Sequence, residues 1–463
     1  MLNFLCDMML KCRLERNTFR REFAEATYLE NQVGHVRVVL YGRDKAFADS
    51  IGYERLSTVA DDDMAVARRL HDLRMVAWEG EADHDFRYSE KRSAEERFAD
   101  SGDDTMELVP QPWLRSLEVI VTSRCNERCV HCYIPNAEKD GAATLDKEMV
   151  KDVVRQFRAM NGLKINFSGG EPLLHPDIWE LLDFCRQQNL MLSLNSNMIV
   201  LSSDMARRFK GLRMFNIQVS LYSMSPDIHD GITGRRGSFG RTCRSIEMLV
   251  RNDVPVMVSC PVMTANCHCV DDVRRYADSL GIDCYFDYVM MARSDGTSDN
   301  LGTRLTTSDT KTVIRQIVEA NPMYLEAIRT APSREALMDM RFANRWSKCD
   351  IMSASLCLDA DGTMFPCPGW NSMKLANIRD TTLRQVWTES DVAKSLRAVD
   401  QREFAKCRTC DLHNFCDMCP VYNANENGSV NDVCAQFCMA ARMLREVVGD
   451  IYDEIGNKSA ISE

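Results

Sequence analysis

The sequence lacks several features that define common classes of protein. It has no run of about 18 apolar residues, so no membrane-spanning helix is expected. Residues 1–14 have no basic start and no small-residue cleavage site, which is not typical of a signal peptide and predicts one short amphipathic helix instead. Positive charge is also scarce. The net charge of -11 argues against a nucleic-acid partner, because neutralising phosphates requires clustered Lys and Arg.

Cysteine, in contrast, is abundant. The chain has 20 cysteines and no export signal, and in a cytoplasmic protein this combination indicates metal ligation rather than disulfides. The cysteines are unevenly placed, with three in residues 125–132 and nine in residues 349–438. We therefore expect a cytoplasmic protein with more than one group of metal-binding cysteines.

Composition divides the chain into segments. Residues 1–80 predict a small N-terminal α+β domain with strands at Thr27–Asn31 and His35–Tyr41. Residues 81–112 are rich in charged side chains and predict an acidic, solvated linker. The remaining segments are a barrel over 113–290, a helical connection over 291–345, a cysteine-rich domain over 346–446 and a C-terminal tail over 447–463.

Short apolar runs alternate with amphipathic stretches from residue 116 onward. Six predicted strands with intervening helices indicate an α/β fold, with a parallel sheet that curves into a partial (β/α)6 barrel. The predicted strands are Leu117–Thr122, Lys164–Ser168, Met191–Asn195, Met214–Leu221, Val256–Val262 and Ile282–Tyr288. In such sheets the reactive groups lie on loops that follow the carboxyl ends of the strands.

Cys125, Cys129 and Cys132 form a C-x3-C-x2-C run directly after the first of these strands. Three thiolates on one short loop can bind three irons of a [4Fe–4S] cluster and leave the fourth iron open to a ligand with amino and carboxylate groups. The alternative is zinc, which prefers four Cys or His ligands, and His131 would then be the fourth. The spacing alone leaves both metals open.

Two motifs resemble the signatures of radical S-adenosylmethionine (SAM) enzymes. The first is the three-cysteine loop, followed by Tyr133, and the second is Ser168–Leu173, with the sequence SGGEPL, at the end of the second strand. The SAM contacts that the resemblance implies are Gly169, Gly170 and Glu171 near the amino group, Ser196 and Asn197 near the ribose, and Ser220. It also implies that a reduced [4Fe–4S] cluster cleaves SAM to methionine and a 5′-deoxyadenosyl radical, which abstracts hydrogen from the substrate. The electron would come from a low-potential flavodoxin- or ferredoxin-type donor.

The C-terminal cysteines resemble the SPASM domain of the same enzymes, which binds one or two auxiliary [4Fe–4S] clusters. The Asp361-Gly362 turn predicts a hairpin with Cys357 and Cys367 on its two arms. Cys349, Gly362 and Cys367 match the opening of the SPASM pattern, and Cys407, Cys410 and Cys416 match its core, whereas the spacing to Cys419 is one residue short. The implied first set is Cys349, Cys367 and Cys419, with Cys357 as a further candidate. The implied second set is Cys407, Cys410 and Cys416, closed by Cys434 or Cys438, which the sequence does not distinguish.

The resemblance implies a peptide or protein substrate. The N-terminal strands, together with Leu73–Trp78, resemble the small domain that captures precursor-peptide leaders by adding a strand to its sheet. The leading hypothesis is a maturase of ribosomally made peptides, an oxidoreductase that forms a thioether or carbon–carbon cross-link.

Two alternatives remain at this point. One is an anaerobic sulfatase-maturating type of enzyme that oxidises Ser or Cys to formylglycine. It would use a catalytic Asp late in the barrel, for which Asp287 is the candidate. The other is a non-catalytic iron–sulfur or zinc protein that serves as a partner in a complex. Neither alternative involves nucleic acid or a membrane.

Overall fold

The structure is a computed structural model that describes residues 10–88, 108–343, 351–370, 372–400 and 404–461. Its strands are β1 (Lys11–Leu14), β2 (Thr18–Glu22), β3 (Ala26–Asn31), β4 (Val36–Tyr41), β5 (Ser57–Thr58), β6 (Val76–Trp78), β7 (Ser116–Thr122), β8 (Lys164–Gly169), β9 (Met191–Ser196), β10 (Asn216–Ser220), β11 (Val256–Pro261), β12 (Asp283–Asp287), β13 (Ser355–Leu358), β14 (Thr363–Phe365) and β15 (Ala376–Asn377).

The helices alternate with the strands through the middle of the chain and dominate its C-terminal part. They are α1 (Gly42–Ser50), α2 (Met64–Asp72), α3 (Asn136–Gly141), α4 (Lys147–Ala159), α5 (Ile178–Gln187), α6 (Ser203–Leu212), α7 (Pro226–Thr233), α8 (Ser238–Arg251), α9 (Val270–Ser279), α10 (Thr307–Ala320), α11 (Pro322–Thr330), α12 (Arg334–Asp339), α13 (Leu383–Glu389), α14 (Asp391–Ala398), α15 (Pro420–Asn427) and α16 (Ala435–Ile461). Among the described residues, no helix is both long and apolar enough to cross a membrane.

The N-terminal part contains two three-stranded sheets, ordered β5-β1-β6 and β2-β3-β4. The helix predicted over residues 1–14 is wrong for Lys11–Leu14, which is strand β1, while residues 1–9 lie outside the described residues. The reason is an alternation of period two: Cys12 and Leu14 are fully buried, and the residues between them are less buried. Strand β2 and helix α1 were also not predicted from the sequence.

One nine-stranded sheet forms the body of the protein, in the order β12-β11-β10-β9-β8-β7-β13-β14-β15. Strands β7 to β12 pair in parallel with their neighbours in chain order, which confirms the predicted succession of six strands and crossover helices. The hairpin predicted at Asp361-Gly362 is also present, because β13 and β14 pair in antiparallel fashion on either side of that turn. The cysteine-rich part is joined to the barrel sheet, because β13 pairs in parallel with β7.

Helix α4 illustrates why the crossover helices form where periodicity predicts them. The Asp146 side chain accepts hydrogen bonds from the main-chain N–H of Glu148 at 2.9 Å and Met149 at 3.2 Å, which caps the N-terminus. Val153 and Phe157 then recur on the face that is buried against the sheet. Burying each such side chain contributes roughly 1.5–3 kcal/mol, so packing holds the helix in place.

The segment predicted as a solvated linker is packed where the structure describes it. The imidazole Nδ1 of His84 lies 2.6 Å from Oε1 of the buried Glu15. Arg213 pairs with Asp85 at 2.7 Å, and the hydroxyl of Tyr88 donates to the carbonyl of Val254 at 2.9 Å. Residues 81–88 are therefore half-buried or exposed, and several of their charges have fixed partners, whereas residues 89–107 lie outside the described residues.

Candidate functional site

A cavity of about 350 Å³ lies where the parallel strands end. Its wall contains the three cysteines of the C-x3-C-x2-C loop, and its other side is formed by residues that follow β8 to β12. The predicted site residues that line it are Cys125, Cys129, Cys132, Gly169, Gly170, Ser196, Asn197, Ser220 and Asp287. The fold thus brings together residues up to 162 positions apart in the chain, because parallel strands share one carboxyl edge.

The cysteine loop is held by main-chain contacts to the last two residues of α7. The N–H of Arg128 donates to the carbonyl of Thr233 at 2.9 Å, and that of Val130 donates to the carbonyl of Ile232 at 3.0 Å. From the other side, the guanidinium of Arg293 donates to the Cys132 carbonyl at 3.2 Å. The loop conformation is therefore fixed by the surrounding fold as well as by its cysteines.

Burial controls the ionisation of the loop cysteines. It raises the pKa of Cys125 to about 11, whereas a hydrogen bond from the N–H of Glu127 and the nearby charge of Lys139 act in the opposite direction. Within the described ranges, no group of three or more His, Cys, Asp or Glu side chains is close enough together to hold a single metal ion. The three thiols instead face the cavity, and this donor set fits three corners of an iron–sulfur cluster.

His131 lines the cavity as an aromatic side chain. Its ring packs against Tyr222 with 4.9 Å between ring centroids, and burial together with Lys139 lowers its pKa to about 4, so the ring is neutral near neutral pH. Its Nδ1 is buried and has no hydrogen-bond partner in the described part of the chain. A polar ligand in the cavity would provide one, and this orphaned atom therefore fits a site built for SAM.

Gly169 and Gly170 allow two loops to touch through their backbones. A Cβ atom at Gly169, where φ is +134°, would lie 2.3 Å from the carbonyl oxygen of Thr122. A Cβ atom at Gly170 would lie 2.3 Å from the carbonyl oxygen of Arg124, the residue before Cys125. Glycine at these positions therefore lets the β8 loop approach the start of the cysteine loop.

The sequence predicts that Glu171 contacts SAM directly, but Glu171 does not line the cavity. Its carboxylate accepts hydrogen bonds from the main-chain N–H of Leu173 at 3.0 Å, the Ser196 hydroxyl at 2.8 Å and the main-chain N–H of Asn197 at 2.8 Å. Burial raises its pKa to about 7. Glu171 therefore positions Ser196 and Asn197, which are themselves in the cavity wall.

Asn197 also links the third strand to the cysteine loop, because its side-chain N–H donates to Oδ1 of Asn126 at 2.7 Å. The next residue, Met198, is fully buried with φ of +58°. A non-glycine residue in this left-handed region costs roughly 1–2 kcal/mol. Its main-chain N–H donates to Ser196 and its carbonyl accepts from Ser245, and these bonds hold the conformation.

Asp287, at the end of β12, lines the cavity. In the described cavity wall it is the one carboxylate that the late barrel strands contribute. Its Oδ1 accepts a hydrogen bond from the main-chain N–H of Val289 at 3.0 Å, which fixes the orientation of the carboxylate. A fixed carboxylate at this position could accept a proton from a substrate in the cavity.

Four C-terminal cysteines influence one another. Burial raises the pKa of Cys416 to about 12, and the charges of Cys438 and Cys407 act in the same direction. Burial also raises the pKa of Cys438, and Cys410 is the next cause. These mutual effects require proximity, so Cys438 lies with Cys407, Cys410 and Cys416.

The structure also describes most of the other predicted cluster ligands. Cys434 is buried in the apolar cluster against which Cys407, Cys416 and Cys438 also pack, and it lies beside Glu426, which pairs with Arg304. Cys357 is fully buried in β13 near Cys367, and Cys419 is buried at the start of α15. Cys349 lies outside the described residues.

Several residues of the cavity wall were not predicted from the sequence, among them Lys139, Tyr222 and Tyr422. Lys139 lies on α3, only 7 residues after Cys132, and a lone lysine in a charged stretch carries no signal of burial. Tyr422 is 290 residues from Cys132, so only the fold could bring it to the cavity.

Comparison with known proteins places these features in context. Residues 119–275 match the Radical SAM superfamily, and residues 349–411 match the SPASM iron–sulfur cluster-binding domain. The chain is 22% identical over 315 residues to an AdoMet-dependent heme synthase of Methanosarcina barkeri, covering 65% of this chain and 89% of that protein. It is 24% identical over 350 residues to the PqqA peptide cyclase of Ruegeria pomeroyi, covering 73% and 91%.

Among solved structures, the fold resembles Streptococcus suis SuiB bound to precursor peptide SuiA. The TM-score is 0.59 at 14% identity, and the match covers 90% of this chain and 97% of that chain. At this identity the likeness concerns the fold alone, and the fold it supports includes the N-terminal part.

Proposed function

We propose that this chain, which carries a radical SAM domain followed by an SPASM domain, abstracts a hydrogen atom from a ribosomally made peptide and forms a thioether or carbon–carbon cross-link in it. The observation that carries the proposal is the cavity, which places three cysteine thiols, polar strand ends and the Asp287 carboxylate around one space. Cys125, Cys129 and Cys132 would hold a [4Fe–4S] cluster, and when bound, the cluster and SAM would supply the 5′-deoxyadenosyl radical.

The residues of the chain would then have distinct tasks. Gly169 and Gly170 bring the β8 loop against the cysteine loop, and Glu171 orients Ser196 and Asn197 towards SAM. Tyr422 and the residues after β12 line the cavity and would shield the radical from water.

Asp287 would accept the proton that leaves the substrate during cross-linking. A cross-link removes two hydrogens from the peptide. One would leave as an atom and the other as a proton, which Asp287 would accept. An auxiliary cluster, when bound, would supply a site for the remaining electron. The auxiliary ligands would be Cys407, Cys410, Cys416 and Cys438 for one cluster. Those of the other would be Cys349, Cys367 and Cys419, with Cys357 nearby.

The N-terminal sheets would capture the peptide. Strand β4 lies at the edge of the β2-β3-β4 sheet, and a peptide leader could add to that edge as a further strand. The opposite strand, β2, is tied to the barrel, because the buried Arg21 donates to the carbonyls of Gly162 at 2.7 Å and Asn189 at 2.6 Å. The similarity in fold to SuiB, a protein whose structure holds a bound precursor peptide, supports the same class of substrate.

The test is anaerobic turnover of the full chain with SAM, a one-electron reductant and a candidate peptide taken from a short reading frame next to its gene. The expected result is 5′-deoxyadenosine together with a peptide that has lost two hydrogens. Cys125→Ala should abolish both products, and Cys267→Ala is the matched control, because Cys267 is a free cysteine that does not line the cavity. No 5′-deoxyadenosine from the fully reconstituted wild type would contradict the proposal and favour a non-catalytic partner protein.

A separate variant tests the role of Asp287. Asp287→Asn should still form 5′-deoxyadenosine but should give roughly 100-fold less cross-linked peptide, because proton acceptance is lost while SAM cleavage is not. Equal losses of both products would contradict the assignment.

A second candidate is oxidation of Ser or Cys to formylglycine, for which the position of Asp287 in the cavity is the supporting observation. A carbonyl-reactive hydrazide distinguishes the two, since it labels formylglycine but not a cross-link. Tetrapyrrole chemistry is a third candidate because heme synthases are among the relatives. Turnover of a porphyrin precursor without any peptide would favour it.

A further inference from the structure

Lys139 is buried in the cavity wall, with 4% of its surface exposed. It lies on α3, which is fixed to the end of β7 because the Ser123 hydroxyl donates to the Glu138 carbonyl at 2.8 Å. The same wall contains Cys125, Cys129 and Cys132, and the charge of Lys139 acts on the first two.

The ammonium group of Lys139 has no anionic partner in the part of the chain that the structure describes. The ion pairs of the surrounding segments join Arg128 to Asp140 and Lys147 to Glu180, and none involves Lys139. Burying an ammonium ion without a partner is costly, so the position is favourable only if something negative occupies the cavity.

We propose that Lys139 stabilises the reduced state of the iron–sulfur cluster at Cys125, Cys129 and Cys132. This inference rests on the proposed function, because it requires a cluster at these cysteines. Three thiolates make such a cluster anionic, and the electron that it takes from a one-electron donor adds a further negative charge. A fixed positive charge in the wall of the same cavity offsets that charge, and so favours uptake of the electron.

The experiment is a redox titration of the anaerobically reconstituted full chain, followed by electron paramagnetic resonance (EPR). Lys139→Met should shift the equilibrium constant for reduction at least tenfold towards the oxidised cluster. For one electron, a tenfold shift corresponds to a reduction potential about 59 mV more negative. Lys139→Arg should stay close to wild type because it keeps the charge. The matched control is Lys147→Met, which removes an exposed lysine already paired with Glu180 at 2.9 Å and should leave the potential unchanged.

A stability measurement separates this role from a structural one. Before reconstitution, Lys139→Met should unfold at the same temperature as wild type or higher, since the variant removes an uncompensated buried charge. If the variant unfolds at a lower temperature than wild type before reconstitution, and binds less iron after it, Lys139 supports the fold instead. That result would overturn the inference.

The two proposals fail in different ways. A wild-type chain that binds iron and cleaves SAM, with an unchanged potential in Lys139→Met, would overturn the role of Lys139 and leave the proposed function standing. A wild-type chain that assembles no cluster would overturn both.

Discussion

The hydroxyl of Tyr422 donates a 2.8 Å hydrogen bond to the main-chain carbonyl of Val289, and both residues line the cavity. Val289 follows the last barrel strand, whereas Tyr422 lies on α15, within the cysteine-rich part of the chain. The bond therefore joins the two parts at the cavity itself, and the C-terminal part completes the wall that the barrel leaves open.

Tyr422→Phe should keep the ring but leave the buried Val289 carbonyl without its donor, at a cost of about 1–3 kcal/mol in unfolding free energy. Because water could then reach the cavity, we also expect more 5′-deoxyadenosine per modified peptide than in wild type. The control is Tyr324→Phe, which loses a similar bond to the Phe342 carbonyl, 3.0 Å long, away from the cavity. If both variants couple SAM cleavage to product equally well, the assigned role of Tyr422 is wrong.

Cys434 and Cys438 offer a matched pair near the start of α16. Cys438→Ala should lose the iron of one auxiliary cluster, because Cys438 lies close to Cys407, Cys410 and Cys416. Cys434→Ala should keep full iron content, because Cys434 lies beside Glu426 instead. Iron and sulfide analysis of the two purified variants checks this prediction, and the reverse pattern would contradict it.

Gly170→Ala should disrupt the cysteine loop. Its Cβ would lie 2.3 Å from the Arg124 carbonyl oxygen, which is too close, so the backbone before Cys125 must move. We expect loss of the SAM-dependent cluster signal in EPR while the auxiliary signals remain. The control is Gly211→Ala within α6, where no atom lies within 4 Å of the new Cβ and where alanine should stabilise the chain by about 0.5–1 kcal/mol. Equal cluster content in both variants would contradict the account.

Glu171 predicts a specific pH dependence of stability. Burial raises its pKa from 4.5 to about 7 in the folded chain, so the folded state binds the proton more tightly than the unfolded state. The stability that this group contributes is therefore fully present below the pKa of the unfolded state. It is lost as pH rises through the pKa of the folded state, and the total loss is about 3 kcal/mol of unfolding free energy. In urea unfolding, the wild type should lose stability relative to Glu171→Gln between about pH 4.5 and about pH 7. A pH-independent difference between the two proteins would contradict this.

Much of the fold could be predicted because the barrel repeats one pattern. Each strand from β7 to β12 is a short apolar run, and helices such as α4 carry apolar side chains at helical spacing between them. The N-terminal β1 was missed because its alternation extends over only four residues, KCRL, which is too short to outweigh a helical interpretation.

The site was predictable only where the chemistry is local in sequence. Cys125, Cys129 and Cys132 are recognisable by their spacing, but the approach of Tyr422 depends on contacts between distant segments. Cys434 and Cys438 could not be distinguished, because both precede or begin the same helix and only packing decides which thiol faces the other cysteines.

The most direct test of the central claim is EPR of the reduced, anaerobically reconstituted full chain, recorded with and without SAM. For the wild type we expect a cluster signal that changes when SAM is added. A variant with Cys125, Cys129 and Cys132 all replaced by Ala should keep the auxiliary signals, and these should not respond to SAM. A chain that contains only zinc, with neither iron nor sulfide after reconstitution, would contradict the account.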